Sequence, residues 1–328
     1  IKNEKKMVLF DQAIFSGNSF VMTALFARFL GLEDFGIYSS IVLGVYLIIS
    51  ICSAIIIQPF QVSFSQFNHE ESYIRFTLYF QLFLGFIIIL FLYAIHQFTR
   101  IEWIESLSIN FIYLALFIFF WVLHDYFRKL FLALQKVHHV IIIDATIAVI
   151  QIFGILILEF ILKSTSLNLA ILIIGLSYML SSIIGLNISG IRFSKIPTIG
   201  TYIQYHKEQG SYLLLSSLLQ WWGSNLFVVT SGVFINIATL GAFRLVQSMF
   251  GVLNLLLQTY ENYVLPKAAK IYANSILESK IYLQKITKKG GLLFLVVLIP
   301  LFIFSEKAIY LFGGSDYIPF HYLVKGMV

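Results

Sequence analysis

Between residues 244 and 261 the polar and small residues Arg244, Gln247, Gly251, Asn254, Gln258 and Glu261 recur at steps of 3, 4, 3, 4 and 3. On a helix that spacing draws a single stripe. The opposite face is leucine and valine with Phe250. Amides and one guanidinium along an otherwise apolar helix can bond to a neighbouring helix, or they can line a water-filled passage. The first use accounts for one or two polar groups. The second accounts for the whole stripe, because a charged side chain at the centre of a membrane helix costs about 2.5–3.5 kcal/mol unless it faces protein or water. We expect a cavity wall in which Arg244, Gln247, Asn254, Gln258 and Glu261 meet a polar solute.

A second stripe lies near the N-terminus. Gln12, Ser16, Ser19 and Thr23 recur at steps of 4, 3 and 4, flanked by Asp11 and Asn18. Small polar residues also serve as close-packing contacts between membrane helices, so this stripe has two readings. Arg28, three residues before Gly31, can snorkel to the outer surface or attract an anionic solute. Asp125 and Arg128 read as an ion pair within one helix, and Asp144 shares a face with Gln151 one heptad on. Trp221 and Trp222 fall about 16 Å into their helix at 1.5 Å per residue. One of them can stack on a sugar ring or pack on a neighbouring helix. Asp11, Gln12, Asn18, Arg28 and Trp221 complete the candidate cavity residues.

Enzyme chemistry finds no footing. His138 and His139 have no carboxylate or cysteine at ligand spacing, and GxSxG, HExxH and P-loop motifs are absent. The single cysteine, Cys52, forms no intramolecular disulfide and lies in an apolar block. No catalytic residue, metal or cofactor is expected.

The elements that must carry these stripes are membrane helices. Of 328 residues 59% are hydrophobic and 12% charged, against about 25% charged in soluble domains. The apolar residues come in blocks near 20 residues, enough to span about 30 Å of hydrocarbon. Strand-length alternation, the mark of an outer-membrane barrel, is missing. We place nine helices at about 7–30, 37–62, 75–97, 108–132, 140–162, 168–190, 210–235, 239–262 and 289–312. With the N-terminus inside, sixteen Lys and Arg fall at inner ends; only Arg100, Lys163 and Lys307 fall in outer loops. The net charge of +6 is therefore read as the positive-inside bias rather than as a nucleic-acid surface. The basic stretch 263–288 is expected to lie as an amphipathic helix along the inner surface.

Gly36 and Gly241 open similar segments, LEDFGIYSS and IATLGAFRL, 205 residues apart, and each following helix ends near a proline, Pro59 or Pro266. Six helices fit in one offset, so the copies run parallel, as two bundles related by an axis along the membrane normal. This divides the chain into a first six-helix bundle, 1–195, and the start of a second, 196–328. A full second copy extends to about residue 400, roughly 70 residues and three helices beyond Val328. The first residue is Ile rather than Met, so both ends read as incomplete.

Three segments carry a family resemblance. DQAIFSGNSFVMTALFARFLGLEDFGIYS (11–39) resembles the first helix and following turn of O-antigen and capsule flippases of the polysaccharide transporter type. Their superfamily also holds the MATE multidrug exporters. LGAFRLVQSMFGVLNLLLQTYENYVLPKAAKIY (240–272) resembles the helix that opens their second half, and LFGGSDY (311–317) their outer turn after the ninth helix. The resemblance implies an all-α fold of twelve helices in two bundles around a central cavity, nine of them visible here. It implies alternating access in the bacterial plasma membrane. The implied substrate is an isoprenoid pyrophosphate-linked oligosaccharide, with membrane lipids, a polysaccharide polymerase and glycosyltransferases as further partners. On that plan the stripes at 12–23 and 244–261 face each other. Two other readings stand beside it: a MATE-like exporter of small organic cations, and a non-transporting subunit of a polysaccharide assembly complex.

Overall fold

The computed structural model describes residues 2–64, 71–98, 109–195, 199–272 and 275–328. The side chains of 2–6, 8–9, 98, 252, 254–263, 265–266 and 269–270 lie outside that description. Every regular element among the described residues is a helix. The first six runs are α1 (Lys2–Phe29), α2 (Leu32–Cys52), α4 (Glu71–Phe98), α5 (Phe111–Ala133), α6 (Val137–Leu156) and α7 (Leu167–Ser189). A π-helical turn, Ser53–Ile57, carries α2 directly into α3 (Gln58–Ser63), and another, Ile157–Leu162, ends α6. Then follow α8 (Ile199–Phe234), α9 (Ile237–Tyr272), α10 (Ile276–Ile303), α11 (Ser305–Gly313), a 3-10 turn (Ser315–Phe320) and α12 (His321–Met327).

The boundaries have local causes. Asn110 starts α5 by accepting from the Ile112 amide at 2.9 Å, and Ser166 starts α7 by accepting from Leu169. Ser275 caps α10 through the Glu278 amide, with the acid three residues on that such a box requires. Gly190, at φ 71°, ends α7 in the left-handed conformation that glycine adopts freely.

Seven of these runs are long and apolar enough to cross a membrane: α2–α3, α4, α5, α6 with its π turn, α7, α8 and α10. Beside these runs, α1 and α9 are the two long helices that carry the polar stripes. At 28 and 36 residues they are long enough, about 42 and 54 Å at 1.5 Å per residue. Phe83, Phe86 and Phe91 on α4 and Phe153 and Phe160 on α6 are largely exposed, as lipid-facing side chains are. The chain is an all-α, multi-pass membrane protein.

Within the first bundle α5 is central. It packs on α7 and α4, while α6 packs on α7 and α1. Its aromatic side chains Phe117, Tyr126, Phe127 and Phe131 are buried. The second set meets the first through α8, which lies along α2, the π turn after it and α3, and through α9, which lies along α2 and α1. There the two glycines of the sequence repeat touch. A Cβ on Gly36 would overlap the carbonyl of Ile237, and one on Gly241 would come within 3.0 Å of the Gly36 backbone. Only glycine lets two helix backbones close to this distance.

Three expectations need correcting. Residues 263–288 do not form a separate surface helix: α9 continues to Tyr272 and α10 begins at Ile276. A 54 Å helix exceeds about 30 Å of hydrocarbon, so the basic residues ride on projecting ends of spanning helices. The gap left between the helices placed at 168–190 and 210–235 is helical from Ile199, with Tyr202 and His206 buried against the first bundle. The last expected span, 289–312, is instead the end of α10 and a separate α11, broken after Pro300 at Phe304. The proposed division at 195–196 abuts residues 196–198, which lie outside the described residues.

Candidate functional site

Arg128 sits five residues before the end of α5, about 8 Å in by helical rise. It does not pair with Asp125, as its i, i+3 spacing suggested; Asp125 pairs with Lys129 at 2.7 Å. Arg128 instead turns inward and joins three helices. Its Nη2 donates to Asp11 on α1 at 2.9 Å and its Nε to Asp144 on α6 at 2.8 Å. Its guanidinium also lies 4.1 Å from the Phe15 ring centroid. A four-residue step separates Asp125 from Lys129, which also donates to Ser53 at 3.2 Å, while Arg128 lies on another face with His124 one turn before. Tertiary packing places two carboxylates on that face, where a buried guanidinium left without them would be strongly disfavoured.

His124 completes the cluster. Its Nδ1 lies 3.0 Å from Ser181 Oγ, and Ser181 donates its own proton to the Ile143 carbonyl at 3.0 Å. Nδ1 must therefore carry a hydrogen and donate to Ser181. That leaves Nε2 facing Asp144 Oδ1 at 3.2 Å, and neither atom has a hydrogen-bond partner. A proton on Nε2 turns a clash of lone pairs into an attraction. It also balances two carboxylates with two cations in a site where Asp11, Asp144 and His124 are 2–3% exposed.

Deeper in the membrane an amide chain ties α1, α6 and α7. Asn18 Nδ2 donates to Gln151 Oε1 at 2.9 Å, and Gln151 Nε2 donates to Ser177 Oγ at 3.0 Å. Beside it lies a cavity of about 70 Å³ between the first bundle and α9. Trp121 and Tyr178 form one wall, stacked at 5.1 Å and 12°, with Tyr46 edge-on to Trp121 at 5.4 Å. Arg244 closes the α9 side, donating to Gln247 Oε1 at 2.6 Å, 5.3 Å from the Tyr46 ring centroid. No ion pair joins it to a carboxylate, Glu33 and Asp34 included, among the described residues. Asn18 Oδ1, Ser39 Oγ and Asp144 Oδ1 line the same space without hydrogen-bond partners. A cavity this size has room for several waters, at roughly 10–15 Å³ each, and such waters would satisfy them.

The sequence candidates divide as follows. Asn18 and Arg244 line the cavity, Gln247 holds Arg244, and Asp11 is linked to the cavity through Arg128 and Asp144. Gln12 bonds within its own helix, to Ser16 at 3.1 Å. Arg28 donates to the Leu311 carbonyl at 3.4 Å, near the C-terminal end of α11, where free carbonyls favour a cation. Trp221 packs with Leu43, Val228 and Leu240, away from the cavity lining. The side chains of Asn254, Gln258 and Glu261 lie outside the described residues. Sequence reasoning missed His124, Tyr46, Trp121 and Tyr178. The i, i+4 step from His124 to Arg128 was a usable signal; the three aromatics gave none, being single rings in helices full of them.

No family model matches the chain, and no curated protein does. A solved structure described as the inward-facing conformation of a multidrug resistance MATE family transporter of the MOP superfamily superposes with a TM-score of 0.64. It is 14% identical and the match covers 96% of this chain and 76% of the other. At that identity the likeness shows the fold. It does not single out the polysaccharide flippases.

Proposed function

We propose that this chain translocates isoprenoid pyrophosphate-linked oligosaccharides across the bacterial plasma membrane by alternating access, with its N-terminus in the cytoplasm. The observation that carries the reading is Arg244, which faces the cavity with an amide and an aromatic ring against it and no carboxylate among the described residues, while Arg128 is taken up by Asp11 and Asp144. A guanidinium left without a carboxylate suits an anion. A guanidinium suits a diphosphate further, since its planar fork donates two parallel hydrogen bonds. The stacked Trp121 and Tyr178, with the amides of Asn18 and Gln151, offer the mixed apolar and hydrogen-bonding surface a glycan needs. Ligand pockets commonly run about 300–1,000 Å³, so a cavity of about 70 Å³ must widen to admit an oligosaccharide, by α9 moving away from α1 and α2.

Complementation of a flippase-deficient strain tests this. Arg244→Ala is expected to abolish surface glycan at normal membrane levels of protein, and Arg244→Lys to restore part of it. Full glycan display by Arg244→Ala would remove the substrate role of Arg244. Resistance to organic cations conferred by the wild-type chain, without any glycan phenotype, would favour the exporter reading.

A further inference from the structure

A second cavity, of about 520 Å³, opens at the other end of the first bundle, where α4 begins and α5 and α7 end. Three cations from three different elements line it: Arg75 on α4, Lys136 after α5 and Arg192 after α7. Among the described residues the one carboxylate lining it is Glu71, which meets Arg75 at 3.7 Å and is 89% exposed, so the pair is weak. Arg75 Nε is buried and lacks a hydrogen-bond partner. Among the described residues no ion pair involves Lys136 or Arg192. The cavity floor is apolar, with Ile74, Leu130 and Leu134.

The walls are fixed. Gln135 turns the chain in the left-handed conformation, φ 58°, and Lys136 N then donates to the Phe131 carbonyl at 2.8 Å. Gly190 turns the other wall. Tyr79 holds it against α4: Ser194 N donates to its hydroxyl at 3.0 Å, the hydroxyl donates back to the Ser194 carbonyl at 3.1 Å, and Phe193 stacks on its ring. Arg192 is thereby held across from Arg75. A general bias of Lys and Arg toward one side of the membrane explains their presence at these helix ends. It does not explain why three converge on one concave site with an apolar floor.

We propose that this cleft binds the headgroup of an anionic phospholipid from the adjacent leaflet, the phosphate against Arg75, Lys136 and Arg192 and the glycerol and first acyl carbons on the floor. Basic pockets between spanning helices at the membrane surface hold anionic headgroups in this way. The apolar floor selects an amphiphile over free phosphate. The bound lipid clips the ends of α4, α5 and α7 together.

Native mass spectrometry of the detergent-solubilised chain, counting retained phosphatidylglycerol against phosphatidylcholine, tests the site. Each basic residue near a membrane surface is worth about a factor of five in binding. Lys136→Ala with Arg192→Ala should therefore weaken phosphatidylglycerol binding about 25-fold. Arg192→Gln alone, at an exposed side chain, should cost about fivefold without disturbing the fold. Lys280→Ala with Lys285→Ala removes the same charge from exposed positions on α10 and should change binding by less than twofold. Equal losses in the two double variants, or none in either, would overturn the site. Displacement of the lipid by millimolar inorganic phosphate would assign the cleft to free phosphate and overturn the lipid reading.

Discussion

Arg128 illustrates what a single buried charge decides. Its side chain is 12% exposed and bridges two carboxylates that are nearly inaccessible. Removing one member of a buried ionic cluster leaves uncompensated charge and costs about 3–5 kcal/mol. Arg128→Met should destabilise the protein by about that amount, read as a lowered midpoint in thermal unfolding in detergent. Adding Asp11→Asn and Asp144→Asn to Arg128→Met removes the orphaned charges and should recover most of the loss. No loss in the single variant would mean that the cluster is well hydrated. Arg244 makes the contrast: with only an amide and an aromatic ring against it, its replacement should leave the melting midpoint within a few degrees while transport fails.

Among the elements, α2 and α9 set how the two bundles meet. A glycine in a helix interior normally costs about 0.5–1 kcal/mol relative to alanine. Gly36→Ala should thus stabilise α2 on propensity alone. Its new methyl would overlap the Ile237 carbonyl, and a backbone atom cannot step aside as a side chain can. The helices must part, and Ser39, 1% exposed on the next turn, should become accessible. In a Cys52→Ser background, Ser39→Cys is expected to resist an impermeant maleimide when Gly36 is intact and to react several-fold faster with Gly36→Ala present. Equal rates would show that this crossing does not seal the cavity. The Arg28 bond to the Leu311 carbonyl lies at the same end and adds a polar tie between α1 and α11.

For the whole molecule the arrangement across the membrane rests on the distribution of Lys and Arg. The projecting ends of α9 and α10 carry Lys267, Lys280, Lys285, Lys288 and Lys289, while the turn between α6 and α7 carries Lys163 alone. Moving the first group across the bilayer is disfavoured. Leu277→Cys and Ser164→Cys, both at exposed positions in a Cys52→Ser background, should label from opposite sides in intact cells, Ser164→Cys from outside. Outside labelling of Leu277→Cys would reverse the orientation and place the phospholipid cleft in the outer leaflet.

Composition and block length were enough for the all-helical membrane architecture. Both are local to each block, and a helix in lipid must satisfy its backbone internally whatever its neighbours are. Partners across helices are another matter. Arg128 has Asp125 three residues away and Lys129 beside it, and local spacing assigns the wrong pair. The right one, Asp11 and Asp144, depends on the rotation of three helices about their own axes, which side-chain packing sets. The same holds for Trp221, read as a cavity residue and found packed on Leu43 and Leu240. It holds too for Tyr46, Trp121 and Tyr178, which line one cavity with Arg244 from separate helices. Such faces are decided by how the bundles close on one another, through contacts far apart in the chain.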